Sequence, residues 1–173
     1  MNINEIIVET ALKYVGQKEI KNNSGFIDFD FWQKMKNVGF NNGWAWCALF
    51  TELVWKEAYQ IYNPIMFEEI DNLFSESATK TYNNFKKYGW TVNKIAEPGS
   101  LIIWQYYEEN KPTWKGHAGI VKLLANEFIH TIEGNTNLAG HREGDQVAEK
   151  IRKYNFNPVQ KGLVLLGFIH PKE

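Results

Sequence analysis

The order of the chain, helices first and strands afterwards, predicts an α+β domain with an antiparallel sheet and not a doubly wound one. Two observations carry this. Up to about residue 90 the apolar residues recur at helical spacing. After Pro98-Gly99 they gather into short β-branched or aromatic runs separated by turn residues. No internal repeat, low-complexity segment or linker interrupts the 173 residues, so residues 1–173 are expected to form one domain.

The elements follow in order. Ile3, Ile6, Ile7, Ala11, Leu12 and Val15 mark a first helix, with Gly16 at its C′ position. A second is expected over 28–38, with Asp28 near its start and Gly39 closing it. A third begins at Cys47 and runs to about Gln60, with Pro64 beyond it; a fourth spans Ser77 to about Tyr88 and stops at Gly89. Strands are expected over 101–105, 117–124, 128–133, 147–152 and 163–169, leaving 106–116 and 136–146 as the longest loops.

Composition removes several function classes. A formal net charge of −1 gives no electrostatic basis for binding nucleic acid or an anionic membrane surface. An apolar content of 44% with seven tryptophans excludes a disordered chain. Met1 to Glu9 has no basic region and carries acids within its apolar stretch, so no secretory signal is read there. No apolar run approaches the ~20 residues that a spanning helix needs, so no membrane insertion is expected. No metal-ligand spacing is visible among one cysteine and scattered histidines, and no cofactor is expected. Asp28-Phe29-Asp30 begins like a calcium loop, but the later acids and the glycine are missing.

Cys47, the single cysteine, stands where the third helix starts, in Gly43-Trp44-Ala45-Trp46-Cys47-Ala48-Leu49-Phe50. A thiol at the positive end of a helix dipole is favoured as thiolate. Such a nucleophile needs a base beside it, and the base needs a third group to fix its tautomer. His117 in Gly116-His117-Ala118-Gly119 suits the base, and Glu133 in Ile132-Glu133-Gly134-Asn135 suits the orienting group. On a strand, residues 133 and 135 point to one face, so Asn135 can offer its amide to an oxyanion together with the Cys47 N–H. Against this stand plainer readings: a buried apolar cysteine, a strand-end histidine and a Gly-Asn turn. His130, His141 and His170 read as surface or structural.

Parity adds a condition. For His117 and Glu133 to share a face, paired positions in the hairpin must sum to an even number. A regular two-residue turn at Ala125-Asn126 gives an odd sum, so the sequence predicts an odd loop or a bulge that restores the register.

Five segments, Trp-x-Trp-Cys-Ala-x-Phe, Glu-Pro-Gly-Ser-Leu-Ile-Ile-Trp, Gly-His-Ala-Gly-Ile-Val, Ile-Glu-Gly-Asn-Thr-Asn and Leu-Leu-Gly-Phe-Ile-His-Pro, occur in that order. Together they resemble the CHAP family, the cysteine- and histidine-dependent amidohydrolases/peptidases, over about residues 10–171. The resemblance implies a papain-like fold of the CHAP/NlpC type, with N-terminal helices packed on an antiparallel sheet. It implies Cys47 as nucleophile, His117 as base, Glu133 as orienting acid and Asn135 as site asparagine. The implied substrate class is amide bonds of bacterial peptidoglycan. The Gly16, Glu19, Asn23 pattern resembles a loop that precedes the nucleophile in some relatives, so Glu19 and Asn23 become substrate-binding candidates. Trp46 and Trp114 are added as aromatic candidates for a glycan-lined groove.

The reading is therefore a peptidoglycan-cleaving cysteine amidase or endopeptidase of the cell-lysis kind, endolysins included. A monomer is expected, with a delivery or immunity chain as a conceivable partner. The enzyme would be made in the cytoplasm and reach the wall after release or by specialised secretion. The competing reading is a non-catalytic papain-like effector or phage-structural binding protein.

Overall fold

The computed structural model describes residues 1–136 and 144–173. The expected 136–146 loop and His141 therefore lie mostly outside the described residues. Helix α1 (Ile3–Leu12) opens on a capping box between Asn2 and Glu5. It ends earlier than the apolar spacing suggests: Tyr14 and Val15 turn with i→i−3 hydrogen bonds toward Gly16, whose φ is +94°. Strands β1 (Glu19–Ile20) and β2 (Gly25–Phe26) form a small hairpin absent from the sequence reading. Helix α2 (Phe29–Asn37) is capped by the Asp28 carboxylate, which accepts from Phe31 N–H. That bond gives the aspartate the role of a helix cap.

Helix α3 (Cys47–Tyr62) is the axis of the core, with Phe50, Val54, Trp55, Ala58 and Tyr59 fully buried. It runs slightly past Gln60, and Pro64 lies beyond it as expected, where it opens a further helix absent from the sequence reading, α4 (Pro64–Asp71). Proline fits there because the first-turn N–H it lacks would have no partner inside the helix anyway. Helix α5 (Ala78–Lys87) begins at the Ser77 cap, as expected.

A two-residue strand β3 (Val92–Asn93) joins the sheet formed by β4 (Leu101–Glu108), β5 (Lys111–Ala125), β6 (Phe128–Thr136), β7 (Gln146–Lys153) and β8 (Gly162–Ile169). The spatial order is β3-β8-β4-β5-β6-β7 and every pairing is antiparallel. The α+β class is as the sequence predicts. The 106–116 loop is not: β4 and β5 continue as a hairpin arm as far as Glu108–Lys111. Alternate residues explain why the sheet is buried on both sides. Leu101, Ile103, Ala118, Ile120 and Ile132 pack with the helices, whereas Ile102, Trp104, Val121, Ile129 and Phe168 build a second cluster.

The β5–β6 hairpin meets the parity condition through a bulge. Ala125 pairs with Phe128 around a two-residue turn, giving an odd sum through Leu123–His130. Lys122 is then skipped, and Val121–Thr131 and Ile120–Ile132 pair with an even sum. That single extra residue turns His117 and Glu133 to the same face.

Candidate active site

The Trp46 side chain makes no cap hydrogen bond to α3, which leaves first-turn N–H groups for other acceptors. The Cys47 thiol, on the first residue of the helix, takes one of them from Ala48 and another backbone donor from Ala118. Burial pushes this thiol up. The charge and hydrogen bond of His117, with the two backbone donors, outweigh burial and hold it below the ordinary cysteine value.

His117 lies opposite Trp104 in the β4–β5 ladder, and the two rings sit 5.5 Å apart at 32°. Its Nε2 is 2.8 Å from Glu133 Oε2, which leaves Nδ1 for the thiol. Burial alone would depress the imidazole. The Cys47 interaction, followed by Glu133, reverses this and holds the ring well toward its protonated form. Thiol and imidazole thus stabilise each other as an ion pair whose protons belong to the pair.

Two glycines make this geometry reachable. A Cβ on Gly119 would lie 2.8 Å from Glu133 Cγ, so the bare backbone lets the glutamate cross toward His117. On the opposite face of β6, a Cβ on Gly134 would lie 2.7 Å from Phe50 Cβ and 2.7 Å from Trp46 Cζ3. The N-terminal turn of α3 can therefore press onto the strand that carries Glu133.

Asn135 follows with φ +50°, in the irregular stretch between the Glu133–Ala148 and Thr136–Gln146 pairs. An Asx residue tolerates that left-handed conformation better than most. It lines the same cleft as Cys47 and His117, and its buried Oδ1 has no partner among the described residues. The cleft, about 560 Å³, takes Trp114 and Tyr106 from the β4–β5 arm and Glu76 and Ser77 from the turn before α5. Thr79 anchors the arm by donating to the Trp114 carbonyl at 2.7 Å.

The four substrate-binding candidates separate. Trp114 is 75% exposed and Asn23 lines the cleft, with its Oδ1 buried and without a partner among the described residues. Trp46 is not at the surface: it is fully buried among Phe26, Phe31 and Phe50. An aromatic beside the nucleophile in sequence points inward here because the helix start is itself packed on the core. Glu19 is turned to that ring, its Oε2 accepting from Trp46 Nε1 at 2.8 Å, with Oε1 near the Asn23 N–H at 3.4 Å. It braces the loop that presents Asn23 and is not among the residues lining the cleft.

Arg152 is the residue that sequence reasoning missed. It lines the cleft from β7, and its Nε and Nη2 bind Glu133 Oε1 and Oε2 at 2.8 and 2.5 Å. Thr131 donates to Oε1 at 2.6 Å. Burial pushes the Glu133 carboxyl up, but Arg152 and then His117 hold it well below the ordinary carboxylate range. The available signal was indirect: a carboxylate expected in a buried strand needs a cation, and the neighbouring strand supplies one.

A family model described as CHAP domain matches residues 38–135, more than half of the chain. No curated protein and no solved structure matches the chain significantly.

Proposed function

The chain belongs to the CHAP family, whose members are typically amidases and peptidases of the peptidoglycan-hydrolase kind, and on that premise we propose that it hydrolyses amide bonds of bacterial peptidoglycan through Cys47, His117 and Glu133. One observation carries the proposal. A thiol at a helix N-terminus and an imidazole line one cleft and bond to each other, and a buried carboxylate holds the imidazole from behind.

In this mechanism the Cys47 thiolate attacks the amide carbonyl carbon, and negative charge moves to the carbonyl oxygen. The Cys47 N–H and the Asn135 amide receive that oxyanion. Collapse breaks the C–N bond, His117 gives its proton to the leaving amine, and a thioester remains on Cys47. His117, now neutral, takes a proton from water, the hydroxide attacks the thioester, and a carboxylic acid leaves as the ion pair returns. Trp114 and Asn23 are the proposed substrate contacts on the cleft rim.

Because there is one cysteine, iodoacetamide has one thiol target. Alkylation, and separately Cys47→Ser, is expected to abolish release of new amino groups from purified peptidoglycan, while EDTA leaves it intact. Activity that survives alkylation excludes thiol catalysis. No hydrolysis on several wall chemotypes, together with tight wall binding, would instead favour a non-catalytic binding protein.

A further inference from the structure

The Arg152 guanidinium is bound to the site by two routes. It grips Glu133 with a two-pronged ion pair at 2.8 and 2.5 Å, sharing Oε2 with His117. It also lies over the Trp104 ring at 5.3 Å, and Trp104 in turn packs against the His117 ring. Glu133 has no solvent exposure, and Arg152, Thr131 and His117 are its charge-assisted or hydroxyl partners.

Counting charges shows what the guanidinium does. In the resting ion pair the site holds the thiolate, the imidazolium, the carboxylate and the guanidinium, two of each sign. Without Arg152 the same buried set carries a net negative charge, which a low-dielectric site resists. In the acyl-enzyme the thiolate is gone. Glu133 and Arg152 then neutralise each other, and His117 is left able to stay neutral and accept the proton of water.

We propose that Arg152 is a positioning residue of the reaction, which fixes Glu133 as an oriented carboxylate and offsets its charge so that His117 shares its proton with Cys47 instead of yielding it to Glu133. The proposal rests on the reading of Cys47 and His117 as the reacting pair. Among the described residues, the charged groups around that pair are Glu133 from β6 and, lining the same cleft, Arg152 and Lys150 from β7, Lys115 from β5 and Glu76 from the turn before α5.

The test is the pH dependence of Cys47 alkylation by iodoacetamide, which needs no substrate. Removing a cation raises the pKa of each neighbouring group. Arg152→Gln is therefore expected to move both limbs of the profile to higher pH, and a displacement of one unit lowers the rate on the acid limb about tenfold. Arg152→Lys returns the charge without the fork, so its limbs return toward wild type while kcat on peptidoglycan stays reduced. Thr131→Val removes a neutral donor and leaves the limbs in place. A residue that only stabilises the fold would lower Tm and move neither limb. Unchanged limbs in folded Arg152→Gln overturn the proposal, as does Arg152→Lys displaced as far as Arg152→Gln. Should Arg152→Gln fail to fold, Glu133→Gln is compared with Glu133→Gln/Arg152→Gln, which buries no unpaired charge. The added substitution must raise the limbs, and equal limbs overturn the proposal. If wild type shows the ion-pair profile but cleaves no peptidoglycan, the substrate assignment fails and the role of Arg152 stands.

Discussion

Gly134→Ala separates the packing of the site from its chemistry. The backbone at 134 is not left-handed, so alanine meets no conformational penalty there. Its Cβ would stand 2.7 Å from Phe50 Cβ and 2.7 Å from Trp46 Cζ3. Carbon atoms rest at about 3.5–4.0 Å, so the first turn of α3 has to withdraw by roughly 1 Å. Neither neighbour can give way easily: both are fully buried, and Trp46 is wedged against Phe26 and Phe31. Overpacking of this kind costs about 1–3 kcal/mol. For a chain of this length that lowers Tm by about 2–12 °C. Cys47 rides on the same turn, so the withdrawal also opens its approach to His117, and a misplacement of about 1 Å is worth on the order of 100-fold in rate. Thermal unfolding by circular dichroism reads the first effect, and alkylation of Cys47 beside peptidoglycan turnover reads the second. A variant melting within about 1 °C of wild type, with rates within about twofold, would refute the claim that helix α3 is seated on a bare strand.

Further outcomes follow from the same geometry. Glu133→Gln should keep the fold near neutrality but weaken control of the His117 tautomer and depress kcat more than it raises KM. The Glu133 carboxyl is depressed in the native state, so its contribution is full above about pH 4.3 and is lost as the pH falls. Denaturant unfolding of both proteins should accordingly show the stability gap narrowing below about pH 4; a gap that widens contradicts the assignment. Asn135→Gly removes the side chain while respecting φ +50°. It should cost on the order of 100- to 1,000-fold in kcat if the amide is an oxyanion donor, and steady-state kinetics with near-native kcat would refute that role. Trp46→Phe deletes the indole bond to Glu19 and should destabilise by about 1–3 kcal/mol in urea unfolding, with the pH limbs of alkylation unmoved.

What the sequence made legible were the features with a strong local cause. The caps Asp28 and Ser77, the closing Gly39 and Gly89, and the β-branched and aromatic runs of β4 and β6 could all be read from residue type. Helix α4 was not legible because proline reads first as a stop: Asn63 closes α3 and caps α4, and Pro64 occupies the first position of the new helix. The β4–β5 arm was hidden because its outer half lines a cleft and solvent, and so lacks the apolar alternation by which a strand is recognised. At the site, Cys47, His117, Glu133 and Asn135 announce themselves by chemistry and spacing. Arg152 does not, because its partner is set by the register of β7 beside β6, which no local pattern encodes. Trp46 shows the converse: proximity in sequence to the nucleophile placed it in the cleft, and packing placed it in the core.

The bulge at Lys122 ties the length of the β5–β6 hairpin to the handedness of the site. Chain length between His117 and Glu133 acts as a parity bit. Losing or gaining one residue there flips one of the two side chains across the sheet, whereas a change of two can be absorbed at the turn. Variation in this family member's hairpin is therefore expected to come in even steps, or as an odd insertion at the Asn126-Glu127 turn compensated by loss of the bulge. A library of turn lengths is expected to read that rule as an alternation between active and inactive variants, although the turn residues Asn126 and Glu127 do not line the cleft.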